Sequence, residues 1–241
     1  IENRPYNFNG PMIPKDHVIS NRTFPNTWSE SIGKVYPTVI GAPGETYTNA
    51  NNAKTQFTFG TPAYYVKYQT GESAFDYLMI AGHKVEATHV RIRDARQNTA
   101  TLPVLEGVDA NGVLYSYVDI TSTSLIKAHS LTNDRREYWC SWNFDMSPFG
   151  GSGKSGGALT NSEGTGFIQG AGDLCLFALR KTGAIIDFQA WESIRGLLNE
   201  YKFSGYINEP VTAWEWLQNN ILPFLPIEAR AGVDGIKPLV S

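Results

Sequence analysis

Residues 101–120 read Thr-Leu-Pro-Val-Leu-Glu-Gly-Val-Asp-Ala-Asn-Gly-Val-Leu-Tyr-Ser-Tyr-Val-Asp-Ile. Two strand-like runs, 101–107 and 113–120, flank Asp109-Ala110-Asn111-Gly112. Asn and Gly both tolerate the positive φ that a tight antiparallel connection requires, so the stretch predicts a β-hairpin. The same chemistry continues on both sides. His89-Val-Arg-Ile-Arg93 alternates polar and apolar, the period of a strand with one apolar face. Aromatic and aliphatic residues crowd 63–69 (Tyr64, Tyr65, Val66, Tyr68) and 76–83 (Tyr77, Leu78, Met79, Ile80), and a further aromatic strand is predicted over 137–144. Residues 33–145 therefore read as β.

After a glycine-rich stretch, Pro148-Phe-Gly-Gly-Ser-Gly-Lys-Ser-Gly-Gly157, which reads as a loop, the period changes. A helix is predicted over 173–182, with Asp173 as N-cap, Leu174, Phe177 and Ala178 on one face, and Gly183 as the stop. Asp187 caps a second helix carrying Trp191, Ile194, Leu197 and Leu198; residues 201–207 read as extended. Pro210 and the capping box Thr212-Ala-Trp-Glu215 open a third helix with Trp214, Leu217, Ile221 and Leu222, which Pro223 ends. Phe177, Trp191 and Trp214 are its expected core, while Trp216 falls off the apolar face and is expected to meet a partner. Asp234-Gly235 marks another hairpin within 227–240. Residues 1–30, rich in Pro, Asn and Ser, read as an extended arm. The fold class is α+β: an arm over 1–30, a β-rich domain built from 31–165 and 227–241, and a small helical domain inserted over 166–226.

A chain of 241 residues is long enough for one large or two smaller domains. The formal charge is −3 with basic residues scattered, which argues against binding nucleic acid by phosphate neutralisation. No apolar run approaches the roughly 18 residues of a membrane span. No secretory signal is recognisable, and Ile1 is compatible with a longer product. Charged residues make up 18%, below the roughly 25% of an average domain. Together with 12 Tyr, 12 Phe and 6 Trp, this suits either large protein–protein contacts or an ordinary β-rich domain. Cys140 and Cys175, flanked by Trp139, Leu174 and Leu176, are expected as reduced core thiols, with a bridge as the alternative. His17, His83, His89 and His129 form no metal-ligand spacing, so no metal and no cofactor is expected.

Three motifs resemble chemistry. Gly153-Lys154-Ser155 ends like a phosphate-binding loop, but Pro148 stands where that motif needs its first Gly, and Gly156-Gly157 is a poor helix start. The run Gly153-Lys-Ser-Gly-Gly-Ala-Leu159 resembles the nucleophile segment of trypsin-like serine proteases. His129 lies too few positions before Ser155 to be its base; His83 is better spaced, and Asp94 or Asp109 could orient it. Yet Lys154 replaces the usual Asp, Ala158 replaces Pro, and helices follow. Ser155 is therefore expected in a Gly/Ser loop and not as a nucleophile. The pair Glu72 and Asp76 could mimic a glycosidase and Trp214-Glu215-Trp216 a sugar platform, but solvated charges and core or interface anchors are the expected roles. No catalytic, cofactor or metal residue is assigned, and the chain is not expected to be an enzyme.

Two segments together resemble the tail-hub (baseplate-hub, tail-tip) proteins of bacteriophages and gene transfer agents. Ser31-Ile-Gly-Lys-Val-Tyr-Pro-Thr-Val-Ile-Gly-Ala-Pro-Gly44 looks like the Gly-Lys-x-x-Pro-x-x-x-Gly element that opens a β-domain in such hubs. Gly170-Ala-Gly-Asp-Leu174, Tyr201-Lys-Phe-Ser-Gly-Tyr-Ile-Asn208, Trp214-Glu-Trp-Leu217 and Leu222-Pro-Phe-Leu-Pro226 look like the inserted helical domain, with Asp234-Gly-Ile-Lys-Pro238 as the returning strand. The resemblance implies a barrel-like β-domain and a virion structural protein. It implies a homotrimeric ring that continues the tail tube and anchors other tail proteins. The ring would sit at the tail tip after assembly in the host cytoplasm. The iron–sulfur cluster of some related tail-tip proteins does not transfer, since two cysteines cannot supply four thiolates. The alternatives are a carbohydrate-binding, host-recognition module and a hydrolase using Ser155.

Overall fold

The computed structural model describes residues 8–44, 46–47, 55–56, 60–69, 75–127, 137–142 and 168–240. Glu72, His129 and the Gly/Ser loop with Ser155 lie outside them. Contacts divide the chain into two compact units, 17–167 with 204–208, and 1–16 with 168–203 and 209–241.

The first unit is β. The strands among its described residues are β1 (Thr38–Ile40), β2 (Thr46–Tyr47), β3 (Thr55–Gln56), β4 (Thr61–Gln69), β5 (Phe75–Ala81), β6 (His89–Asp94), β7 (Thr99–Pro103), β8 (Leu105–Val108), β9 (Leu114–Asp119), β10 (Tyr138–Ser141) and β11 (Gly205–Ile207). Seven of them form one antiparallel sheet in the order β7-β6-β10-β4-β5-β9-β8. Its two end strands are neighbours in the chain, with Val104 alone between them. A residue spans at most about 3.6 Å, so the joined ends of β7 and β8 must lie close together. The sheet is therefore curled and barrel-like, and β7 approaches β9 across the curl. Register shifts at Tyr65/Lys67 and Met79/Ala81 add local bend. The run 101–107, predicted as one strand, is thus split. Pro103 ends the pairing with His89, and the Val104 N–H donates to the Thr88 carbonyl at 2.9 Å. The 109–112 turn forms as predicted. Asp109 Oδ1 accepts from the N–H groups of Asn111 (2.8 Å) and Val113 (2.9 Å), and Gly112 takes a φ of 80°.

Period-2 alternation sets the interior. Val90 and Ile92 of β6 point in, with Leu78, Ile80, Val118, Cys140 and Trp142 in the same core. Met79 belongs to the opposite face yet is fully buried. Part of the predicted arm covers it: Ile19 and Phe24, with Tyr36 from just beyond the arm, pack on Val66, Met79 and Tyr115. Strand β1 pairs with β11, Thr38 opposite Ile207, so residues 205–207 belong here and not to the helical unit.

The second unit holds the three α-helices of the described residues, α1 (Ala171–Leu179), α2 (Phe188–Leu198) and α3 (Ala213–Asn220), and the hairpin β12 (Ile227–Gly232) with β13 (Gly235–Val240). Two caps are as the sequence predicts. Asp187 accepts from Ala190 N at 3.0 Å, and Thr212 accepts from Glu215 N at 3.2 Å. The first helix differs, because it starts at Ala171 with Gly170 as N-cap and places Asp173 in its first turn. Its capping oxygen comes from α2: Asn199 Oδ1 accepts from Asp173 N at 3.0 Å, while Arg195 Nε donates to Asp173 Oδ1 at 2.7 Å. Glycine allows this approach. A Cβ on Gly170 would lie 2.3 Å from Asn199 Oδ1, and one on Gly172 2.4 Å from the Arg195 carbonyl oxygen.

Trp191 is buried as predicted, and its Nε1 donates to the Ile236 carbonyl at 3.0 Å. The other two expected core aromatics are half-exposed. Trp214 lies against Phe8 with ring centroids 4.8 Å apart, and Phe177 lies under the Lys181 ammonium at 5.0 Å. Trp216 is buried rather than outward, because α3 begins at Ala213 and so aligns Ala213, Trp216 and Leu217 at i, i+3 and i+4. The domain boundaries also differ from 1–30, 227–241 and 166–226. The hairpin falls with the helices, where Ile236 N donates to Ile185 O at 2.9 Å. Residues 8–12 do too: Gly10 N donates to Thr182 O at 3.0 Å and Ala213 N to Gly10 O at 2.9 Å.

Candidate functional site

The residues that could have served Ser155 do other work. His83 uses both ring nitrogens: Nε2 accepts the Val39 N–H at 3.0 Å, and Nδ1 faces the Lys84 carbonyl at 2.8 Å, which fixes the proton on Nδ1. The ring ties β1 to the turn after β5. Asp94 is fully buried, and its carboxylate accepts from the N–H groups of Arg96 (2.9 Å), Asn98 (3.0 Å) and Ile126 (2.9 Å) and from Asn98 Nδ2 (2.9 Å). Asp109 holds its own turn and accepts from the Tyr36 hydroxyl at 2.6 Å. None of these carboxylates is placed against His83. Asp76 is 1% exposed, on the inward side of β5. The half-buried Lys127 ammonium donates to the carbonyls of Ile120 and Thr123, closing a turn; burial lowers its pKa against the pull of Asp76, Asp119 and Asp94. Both thiols are free and buried, and burial alone pushes Cys175 up to about 12. Among the described residues no group of three or more His, Cys, Asp or Glu could hold a metal ion. None of their helices is long and apolar enough to cross a membrane.

Among the described residues of the β unit, two surface features stand out. The first is a cleft of about 480 Å³ between the outward side of β4–β10 and the 3-10 turn Ser29–Ser31. Pairing builds one wall. Trp139 sits opposite Pro62, Tyr64 follows two residues along β4 on the same face, Trp28 and Glu30 come from the segment read as an arm, and Lys34 from just after it. The turn is pinned by the buried Thr27 hydroxyl, which donates to the Tyr65 carbonyl at 2.7 Å. On the inward side of the same strands the Tyr65 and Tyr138 hydroxyls lie 3.2 Å apart. Trp28, Tyr64 and Trp139 are half-exposed, and Glu30, Lys34 and Glu137 are exposed. Cations already lie over two of the rings: Arg93 sits 5.6 Å from the Trp139 centroid and Lys34 6.0 Å from that of Tyr64. Asn208 Nδ2 donates to the Tyr64 hydroxyl at 3.2 Å, while burial raises that phenol's pKa.

The second feature is an aromatic strip. Phe75, Tyr77 and Tyr117 run across β5 and β9 with centroids 5.4 and 5.0 Å apart, and Lys67 reaches over Phe75 at 4.5 Å. All three rings are half-exposed, and Leu105, paired with Tyr117, is 37% exposed.

The sequence pointed to Trp214 and Trp216 and missed both features. Trp28 lay in a segment read as an arm, and only the register of β10 on β4 brings Trp139 beside Pro62. Alternation did offer one signal for Trp139, which falls between the inward Tyr138 and Cys140. Comparison with known proteins gives no matching family model, no matching curated protein and no matching solved structure.

Proposed function

We propose that this chain is a structural subunit of a phage tail-tip hub, associating with further copies of itself, most simply as a trimer, and with other tail proteins. The fold supports the coarse part: one unit with a curled antiparallel β-sheet and a second that holds the helices. The observation that carries self-association is the aromatic strip Phe75–Tyr77–Tyr117. Half-exposed Tyr and Phe in a row, bordered by an exposed Leu, match the aromatic enrichment of interface cores. The N-terminal segment packs on the neighbouring part of the same face and against Tyr77 and Tyr117, whose rings stay half-exposed. Native mass spectrometry of the full chain tests the reading. A trimer is expected, and Tyr77→Glu with Tyr117→Glu is expected to return it to a monomer of unchanged circular dichroism. A wild-type chain that stays monomeric at high concentration and does not enter a tail-tip particle would overturn it.

A further inference from the structure

We infer that the cleft between the 3-10 turn and the β4–β10 face is a binding site for a neutral saccharide. The site is independent of the assembly role proposed above. Trp28, Tyr64 and Trp139 offer flat apolar surface on which the C–H face of a sugar ring can stack. Glu30 and Glu137 stand at the same cleft as hydroxyl acceptors and Lys34 as a donor, so both kinds of polar partner that a polyol needs are present. The volume of about 480 Å³ falls within the roughly 300–1,000 Å³ of small-molecule sites.

An aromatic cleft with two carboxylates could also suit a cationic ligand such as a methylated ammonium. The observed contacts favour the neutral one. Arg93 and Lys34 already lie over the Trp139 and Tyr64 rings, so a ligand cation would meet like charge where the ring quadrupoles are strongest. A neutral sugar meets no such repulsion, and the Lys34 ammonium can donate to its hydroxyls. The site is also held in shape before any ligand arrives. Thr27 on the Tyr65 carbonyl fixes the turn, and the pairing of β10 with β4 fixes the floor.

Isothermal titration of the full chain with neutral trisaccharides of glucose, galactose, mannose and N-acetylglucosamine, and with a trimethyl-lysine peptide, tests the proposal. At least one trisaccharide is expected to bind saturably and to change tryptophan fluorescence, and the peptide is expected not to bind. Glu137→Gln is exposed and should fold normally; it is expected to weaken saccharide binding by about tenfold. Trp139→Ala should abolish binding, with circular dichroism as the control for folding. Trp214→Phe, on the other unit, should leave the affinity unchanged. The proposal is overturned if no trisaccharide binds at millimolar concentration, if only the peptide binds, or if Glu137→Gln binds as tightly as wild type.

Discussion

At the scale of single residues, several side chains are committed to backbone groups that nothing else satisfies. Asp94 accepts four hydrogen bonds in full burial. Asp94→Ala would strand the Asn98 and Ile126 N–H groups and should cost about 3 kcal/mol or more, read from the denaturant midpoint. The carboxylates that sequence spacing offered to a catalytic base are thus spent on turns. Cys140 and Cys175 follow the same rule by another route. Burial raises both thiols, Cys175 to about 12, so little thiolate exists at neutral pH. A colorimetric disulfide reagent should find no reactive thiol in the native chain and two per chain in denaturant. A fast-reacting native thiol would contradict the buried placement.

At the scale of elements, the joint between α1 and α2 rests on two glycines and a cap supplied from the neighbouring helix. Gly172→Ala gains helix propensity, but its Cβ would meet the Arg195 carbonyl at 2.4 Å, where backbone cannot yield cheaply. The net effect should be a loss of about 1–3 kcal/mol, seen as a lower melting temperature. Trp191→Ala should cost about 3–5 kcal/mol, since the indole is 1% exposed and bonded to Ile236. Capping chemistry made α2 and α3 legible in the sequence, because Asp187 and Thr212 act within three residues of themselves. The start of α1 was not legible, since its cap, Asn199, lies 26 residues downstream of Asp173. Likewise the Asn111-Gly112 hairpin was readable from local φ preference, while the split at Val104 reflects which partner strands β7 and β8 find. The cleft was the least readable feature, for it needs the arm, β4 and β10 together, and only their pairing register joins them.

At the scale of the whole chain, alkaline pH should act on the β unit through its buried phenols. Burial raises Tyr115 from 10.0 to about 12, with Tyr117 and Asp109 adding to it. Tyr36 is raised further by burial and by its hydrogen bond to Asp109. The folded state keeps phenol protons that the unfolded chain releases near pH 10, so this contribution is constant below pH 10 and is lost as pH rises toward 12. Phenolate absorbance should therefore show a late component that coincides with loss of tertiary circular dichroism; if all tyrosines titrate before unfolding, the packing of the arm on β5 and β9 is not as described. The segment 99–108 carries a different consequence. An ordinary sheet frays from its outer strands inward, one amide after another. Here the outer strands are one covalent piece, bonded to β6 at its start and to β9 at its end. Peeling either end tugs on the other. Amide protons along both halves should then exchange with deuterated solvent at one shared, slow rate, that of opening the entire unit. A chain nicked at Val104 should instead show two separate rates, one for each released strand.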